Sequence, residues 1–285
     1  AGAEDAWFRF TTLGDGLPGN HLRVTPGAPG PLTIHPQTAG DGVPFGTSGL
    51  RTDYFGPTNT RAETARGVAV QADGKIVVAG YGHNGSNDDF VLVRYHPDGA
   101  LDGTFGRDGR VMTGIGSGHD RAYAVALQAD GRIVLAGASY NGASYDVALA
   151  RFNSDGSPDM SFDGDGKLTT KLGSGDAYAY AVAIQADGKI VVAGYSNNGS
   201  NDDFAVVRYR TDGALDTSFD GDGKRTDYFG ASNGYGEIAY GIAVQSDGKI
   251  VVVGSAFNGT NDDFALARYN SSGSLDTTFD ADGKR

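Results

Sequence analysis

The sequence predicts an all-β protein, an array of four-stranded antiparallel units, and three observations predict it. One unit is written four times at near-constant spacing, each copy carries Gly-based turns between short apolar runs, and no segment sustains a helical apolar stripe over three turns. The Gln-(Ala/Ser)-Asp-Gly tetrad starts at Gln71, Gln128, Gln185 and Gln245, with spacings of 57, 57 and 60. Arg94, Arg151, Arg208 and Arg268, each followed by an aromatic residue, keep those spacings, as do Phe105, Phe162, Phe219 and Phe279. Carrying the register back from Phe105 reaches Phe45, and Gly46 to Phe55 reads like Asp220 to Phe229, down to a shared Arg-Thr-Asp-Tyr-Phe-Gly. The units are therefore 46–105, 106–162, 163–219 and 220–279, and 280–285 opens a fifth.

Within the third copy, Ala179 to Gln185 alternates small or apolar residues and ends at Asp187-Gly188, after which Lys189 to Tyr195 forms the next strand. Asp-Gly between two such runs predicts a type I′ hairpin, in which both central residues take positive φ. Asn198-Gly199 leads to a third strand, Asp203 to Tyr209. Asp212-Gly213 leads through Leu215 and Phe219 to a fourth, near Lys167–Leu172 or Lys224–Phe229. On the third strand Phe204, Val206 and Arg208 share one face and Ala205, Val207 and Tyr209 the other, because side chains alternate along a strand. Both faces are largely apolar, as a sheet stacked between two neighbours requires. Four strands per unit at this period predict the blades of a β-propeller-like array.

The tetrad, the (Lys/Arg)-Ile-Val-(Val/Leu) strand, the Asp-Asp-Phe strand with its Arg-Tyr, and Leu-Asp-x-x-Phe-Asp-x-Asp-Gly-Lys together resemble the delta-60 repeat. The resemblance covers 46–285 and implies β-propeller blades in a bacterial secreted or surface protein. It implies no activity.

The two ends set the remaining questions. Leu50 to Phe55 is a fourth-strand segment without earlier strands, and the last copy supplies three strands and the start of a fourth. Those halves either complete one blade and close a four-blade ring, or leave an open arc whose edges pair with other chains. Residues 1–45 form an N-terminal arm of different composition, rich in Pro and Gly, with a strand-like aromatic run at 6–13 that holds Trp7, Phe8, Phe10 and Leu13. The arm either caps its own array or adds a strand to another copy.

Candidate chemistry is sparse. The pairs Arg94/Asp102, Arg151/Asp159, Arg208/Asp216 and Arg268/Asp276 are always eight apart. They are expected as bidentate structural pairs. Asp163, Asp165, Asp220 and Asp222 offer oxygens of the kind calcium takes. The earlier copies lack these acids and none continues to a bidentate Glu, so tight turns account for them better and no cofactor is required. Asn84, Asn198, Asn258 and Asn270 match the acceptor pattern for N-glycans, the first three in hairpin turns where Asn-Gly is expected for backbone reasons. In the Asp-Asp pairs at 88–89, 202–203 and 262–263, the second Asp is expected to anchor a turn.

Composition narrows the function. With 46 glycines and 39% hydrophobic residues in 285, the chain is globular. It has no apolar run long enough for a membrane helix. The lack of cysteine excludes thiol chemistry, and a net charge of −12 excludes a basic nucleic-acid face. His21, His35, His83, His96 and His119 fall at different repeat positions, and no nucleophile elbow or phosphate loop is present. The sequence therefore leads to the expectation of no enzymatic activity. The opening Ala1-Gly2-Ala3-Glu4 is what a mature secreted protein would show. The expected function is an extracellular structural repeat protein that self-assembles, as a fibre or surface array, through its arm. The alternative is a monomeric binding module for a glycan or protein, and the third reading is a hydrolase or lyase using the axis.

Overall fold

The structure, a computed structural model, describes residues 63–229 and 236–285 together with the backbone of two short paired strands, β1 (Leu22–Val24) and β2 (Ile34–Pro36). Trp7, Phe8, Phe10 and Leu13 of the arm, and the segment 50–55, lie outside the described residues. Among the described residues there is no helix, and so none long and apolar enough to cross a membrane.

Four antiparallel sheets follow one another along the chain. Blade 1 holds β3 (Thr64–Val70), β4 (Ile76–His83), β5 (Asp88–Tyr95) and β6 (Arg110–Thr113). Blade 2 holds β7 (Asp120–Leu127), β8 (Ile133–Tyr140), β9 (Tyr145–Phe152) and β10 (Lys167–Thr170). Blade 3 holds β11 (Ala177–Ile184), β12 (Ile190–Asn197), β13 (Asp202–Tyr209) and β14 (Lys224–Asp227). Blade 4 holds β15 (Ile238–Val244), β16 (Ile250–Phe257) and β17 (Asp262–Tyr269), and Lys284 bridges to Ala267 where a fourth strand would start. Each fourth strand belongs to the sequence unit after its blade, so the blade boundary is shifted from the repeat boundary.

The first hairpin differs from the type I′ expectation. Only Gly188 of Asp187-Gly188 has positive φ, at 83°. Gly188 N–H donates to the Gln185 carbonyl and Gln185 N–H to the Lys189 carbonyl, both at 2.9 Å. This is a three-residue loop, a type I turn closed by one left-handed glycine, which needs positive φ once rather than twice. Gln71, Gln128 and Gln245 close the same loop.

The apolar core lies between blades. One face of blade 1 (Val77, Ala79, Phe90, Leu92) meets blade 2 through Ala122, Ile133, Leu135 and Phe152. Blade 2 meets blade 3 through Val134, Leu149, Ile190 and Tyr209, and blade 3 meets blade 4 through Val191, Phe204, Ile250 and Tyr269. The first strands β3, β7, β11 and β15 pack directly on one another in order, which makes them the inner edge of the array. Among the described residues no further blade packs on the outer face of blade 4. Phe90, Val147 and Phe204 occupy one repeat position and are 1%, 1% and 0% exposed, whereas Phe264 at the same position is 89% exposed. The segment 50–55 that would complete the last blade and close a ring lies outside the described residues.

Candidate functional site

Each inner strand carries one extra residue. The registers slip between Ala65 and Gly67, Ala122 and Ala124, Ala179 and Ala181, and Ala239 and Gly241. The residues left out of the ladder are Arg66, Tyr123, Tyr180 and Tyr240, spaced 57, 57 and 60 apart. A β-bulge re-aims the side chain it extrudes, and here it does so once per blade. The bulge is enforced from the second strand. Gly80, Gly137, Gly194 and Gly254 lie opposite, and a Cβ on Gly194 would come 1.8 Å from the Tyr178 carbonyl oxygen.

The three extruded tyrosines, together with Tyr81 of β4, form a continuous aromatic row. Ring centroids step from Tyr81 to Tyr123 at 6.3 Å, Tyr123 to Tyr180 at 5.0 Å and Tyr180 to Tyr240 at 5.7 Å. Tyr178, two residues before a bulge, stacks on Tyr195 at 5.2 Å and extends through Tyr145 at 5.0 Å. Centroid separations of 4.5–7 Å are those of favourable ring pairs. At the blade 1 end, the Arg66 guanidinium lies 5.8 Å from both the Tyr81 and Tyr123 centroids, and that of Arg121 lies 5.3 Å from Tyr81. Arg121 is anchored by Asp88, with Nη2 at 2.8 Å. Beside Tyr195 a polar notch opens, lined by Ser144, Ser174, Asp176, Asn197 and Asp202.

The electrostatics favour the protonated hydroxyl at Tyr123, Tyr178 and Tyr195. Burial raises Tyr123 to about 12 and pushes Tyr178 and Tyr195 well above the ordinary phenol value, reinforced by neighbouring tyrosines. At Tyr81 burial also acts upwards, but the hydrogen bond and charge of Arg66 outweigh it and the value falls. The rings are half-buried, with Tyr240 exposed, so the row offers apolar faces and hydroxyl donors together.

The residues singled out from the sequence lie elsewhere. Each Arg of the eight-apart pairs binds its Asp through Nε alone, at 2.7–2.8 Å. The expected bidentate geometry is not formed: Nη2 donates instead to Ser161 from Arg151, to Ser218 from Arg208 and to Thr278 from Arg268, while in the first three copies Nη1 is used between blades. It donates to the Ser154 carbonyl from Arg94, to Thr211 from Arg151 at 2.5 Å, and to Ser271 from Arg208 at 2.6 Å. Each guanidinium also covers the repeat phenylalanine, Phe105, Phe162, Phe219 or Phe279, at 4.4–4.8 Å. Asp163 and Asp220 sit at positive φ in tight turns, while Asp165 and Asp222 accept the N–H of Lys167 and Lys224. Among the described residues no group of three or more His, Asp or Glu is placed to hold a metal ion. Asn84, Asn198 and Asn258 cap their turns, and their amide groups donate to Asp89, Asp203 and Asp263. The Asn270 amide donates to Ser274 and Leu275.

Sequence reasoning missed the tyrosine–arginine row. Its signal was present, since Arg66, Tyr123, Tyr180 and Tyr240 keep the repeat spacing. The residue type changes from Arg to Tyr, however, and only the register slip shows that these side chains leave the ladder.

A family described as "Domain of unknown function (DUF5122) beta-propeller" matches at residues 71–105, 128–162, 185–219 and 245–279, so the chain carries four β-propeller repeats. No curated protein matches the chain. Among solved structures it is similar to a catalytically inactive variant of virginiamycin B lyase from Staphylococcus aureus with quinupristin (14% identity, 79% of this chain, 60% of that chain, TM-score 0.42). A gluconolactonase from Xanthomonas campestris is similar at 17% identity (74% and 60% coverage, TM-score 0.41). The GH43 endo-arabinanase from Bacillus licheniformis is similar at 13% (73% and 72%, TM-score 0.37). The chain thus spans about 60% of the first two. These findings correct the expectation that the chain is not an enzyme, because the similar structures are a lyase, a lactonase and an arabinanase. At such scores the likeness passes no activity, substrate or catalytic residue to this chain.

Proposed function

We propose that this array of four β-propeller repeats is a glycan-binding module whose ligand lies along the tyrosine–arginine row of the inner strands. The observation that carries the reading is the row itself. One bulge per blade places Arg66, Tyr123, Tyr180 and Tyr240 in sequence, with ring steps of 5.0 and 5.7 Å on the scale of a single sugar ring. Aromatic faces accept the apolar face of a pyranose, and protonated phenols, Arg66 and the Asn197/Asp202 notch supply donors and acceptors for its hydroxyls. The reading takes the protein to act outside a bacterial cell, as its delta-60 motifs imply.

The test is calorimetric titration with hexasaccharides of β-glucan, xylan and chitin type, using the full chain and Tyr180→Ala. At least one hexasaccharide should bind, and Tyr180→Ala should weaken it roughly 30-fold, the loss expected of an aromatic hot spot, with the melting temperature held within a few degrees. Equal affinity in the variant, or no binding of any of the three, overturns the reading.

A further inference from the structure

We infer that the glycan bound along the tyrosine–arginine row, a reading on which this step rests, is acidic at one end. It sets a singly charged oxyanion, the carboxylate of a uronic acid or a sulfate ester, against Arg66 and Arg121, and continues with uncharged sugar units towards blade 3. Two positions of the inner strands supply the contrast. That of Arg66 is Tyr123, Tyr180 and Tyr240 in the later blades, and that of Arg121 is Thr64, Tyr178 and Ile238 in the other three. Arginine thus stands at these positions only at 66 and 121, and both guanidiniums lie against one ring, Tyr81, at 5.8 and 5.3 Å from its centroid.

The two charges are answered differently. Arg121 is held by Asp88 through Nε at 2.9 Å and Nη2 at 2.8 Å, and the same carboxylate faces His119 at 3.3 Å and His83 at 3.5 Å. Arg66 makes no ion pair among the described residues. Its Nη2 donates to the Tyr81 hydroxyl at 3.4 Å, and its buried Nε has no hydrogen-bond partner. A half-buried guanidinium without a carboxylate, set against aromatic faces, is a planar fork matched to an oxyanion. The opposite sign lies further along the row. Ring steps of 6.3, 6.0 and 5.2 Å lead from Tyr81 through Tyr123 and Tyr178 to Tyr195. There the notch carries Asp176 and Asp202, neither of them in an ion pair among the described residues. A second anionic unit would meet those carboxylates, so the charge belongs at the blade 1 end alone. The net charge of −12 repels anions from a distance. At 0.15 M salt that field is screened beyond about 8 Å, whereas direct contact with Arg66 is not.

Calorimetric titration of the full chain at physiological salt tests this with matched sets of the β-glucan, xylan and chitin hexasaccharides. Each is used neutral, with one glucuronic acid at either end, and with one sulfate ester at either end. The variants are Arg66→Gln and, as a control that removes an equal charge from an exposed turn beside Asp212, Arg210→Gln. At least one acidic member should bind the wild type roughly 10-fold or more tighter than its neutral parent, as hydrogen bonds to a charged group allow, with the ratio falling to about one in Arg66→Gln and kept in Arg210→Gln. Arg66→Gln strands no carboxylate, so its melting temperature should stay within a few degrees of the wild type. The derivative that gains, uronate or sulfate, names the source of the oxyanion. The same group on every unit should bind more weakly than the single one, and tighter binding overturns the placement of the charge at one end. Equal binding of neutral and acidic members, or a gain that survives Arg66→Gln, overturns the acidic ligand and leaves the glycan-binding reading standing. Binding of neither overturns both.

Discussion

Arg151 and Arg268 occupy one repeat position in two settings, and replacing each by methionine separates the ion pair from the link between blades. The Arg151 side chain is 3% exposed, its Nε lies 2.7 Å from Asp159, and its Nη1 donates to the Thr211 carbonyl of blade 3. Arg151→Met keeps an aliphatic stem over Phe162 but strands a buried carboxylate and a carbonyl. Breaking a buried pair costs about 3–5 kcal/mol. Here Arg132, at 2.9 Å from Asp159, retains part of the compensation, so the pair should contribute near the lower end of that range. The orphaned Thr211 carbonyl adds about 1 kcal/mol, giving about 3–4 kcal/mol in total. Arg268 is 20% exposed, and among the described residues its Nη1 reaches no carbonyl of a following blade, while Lys249 still holds Asp276 at 3.1 Å. Arg268→Met should therefore cost about 1–2 kcal/mol. Urea unfolding followed by circular dichroism measures the difference. Amide exchange should show faster opening along β9 and β11 in Arg151→Met only, since repeat stability divides into blade and interface contributions. Equal losses for the two variants, or less than about 1 kcal/mol for Arg151→Met, would refute the assignment of Nη1 as an inter-blade link.

The remaining predictions concern the bulge, the acid limb and one buried hydroxyl pair. Gly194→Ala should lower stability by at least about 1–3 kcal/mol and reduce the near-ultraviolet tyrosine signal, because the new Cβ meets the Tyr178 carbonyl and Tyr180 must move. Asp102, Asp159 and Asp216 are pushed up by burial but held below the usual carboxylate range by hydrogen bonds from Thr104, Ser161 and Ser218 and by their arginines. A depressed folded pKa adds stability that is complete above about pH 4 and is lost as pH falls through the folded value. The melting temperature of Asp159→Asn should accordingly fall less steeply than that of the wild type below about pH 4, and parallel curves would count against it. The Tyr209 hydroxyl donates to Thr170 at 2.7 Å in a buried setting. Tyr209→Phe should cost about 1 kcal/mol and Tyr209→Phe with Thr170→Val much less, as a double-mutant cycle would show.

Much of the fold was legible because repetition averages out local ambiguity. The tetrad, the Arg-aromatic pair and the phenylalanine recur in each copy, so one strand assignment served four. The faces of the third strand were also readable, since Phe204 and Val206 meet blade 4 while Val207 and Tyr209 meet blade 2. The candidate site was not legible, for a reason of geometry. On regular alternation Tyr123 and Tyr180 are ordinary strand residues, and the slip that extrudes them depends on a glycine in the neighbouring strand, 14 positions later at Gly137 and Gly194.

Period, residue type and alternation, all local properties, were enough to determine an all-β chain of four like blades with apolar faces and a recurrent Arg–Asp pair. Tertiary structure alone decided where each arginine spends its third donor, which inner-strand side chains leave the ladder, and that Phe264 is exposed where Phe204 is buried. These are relations between blades. Identical residues at one repeat position take different roles according to whether a further sheet covers them, and that information is held in the stacking of the blades rather than in any one copy of the repeat.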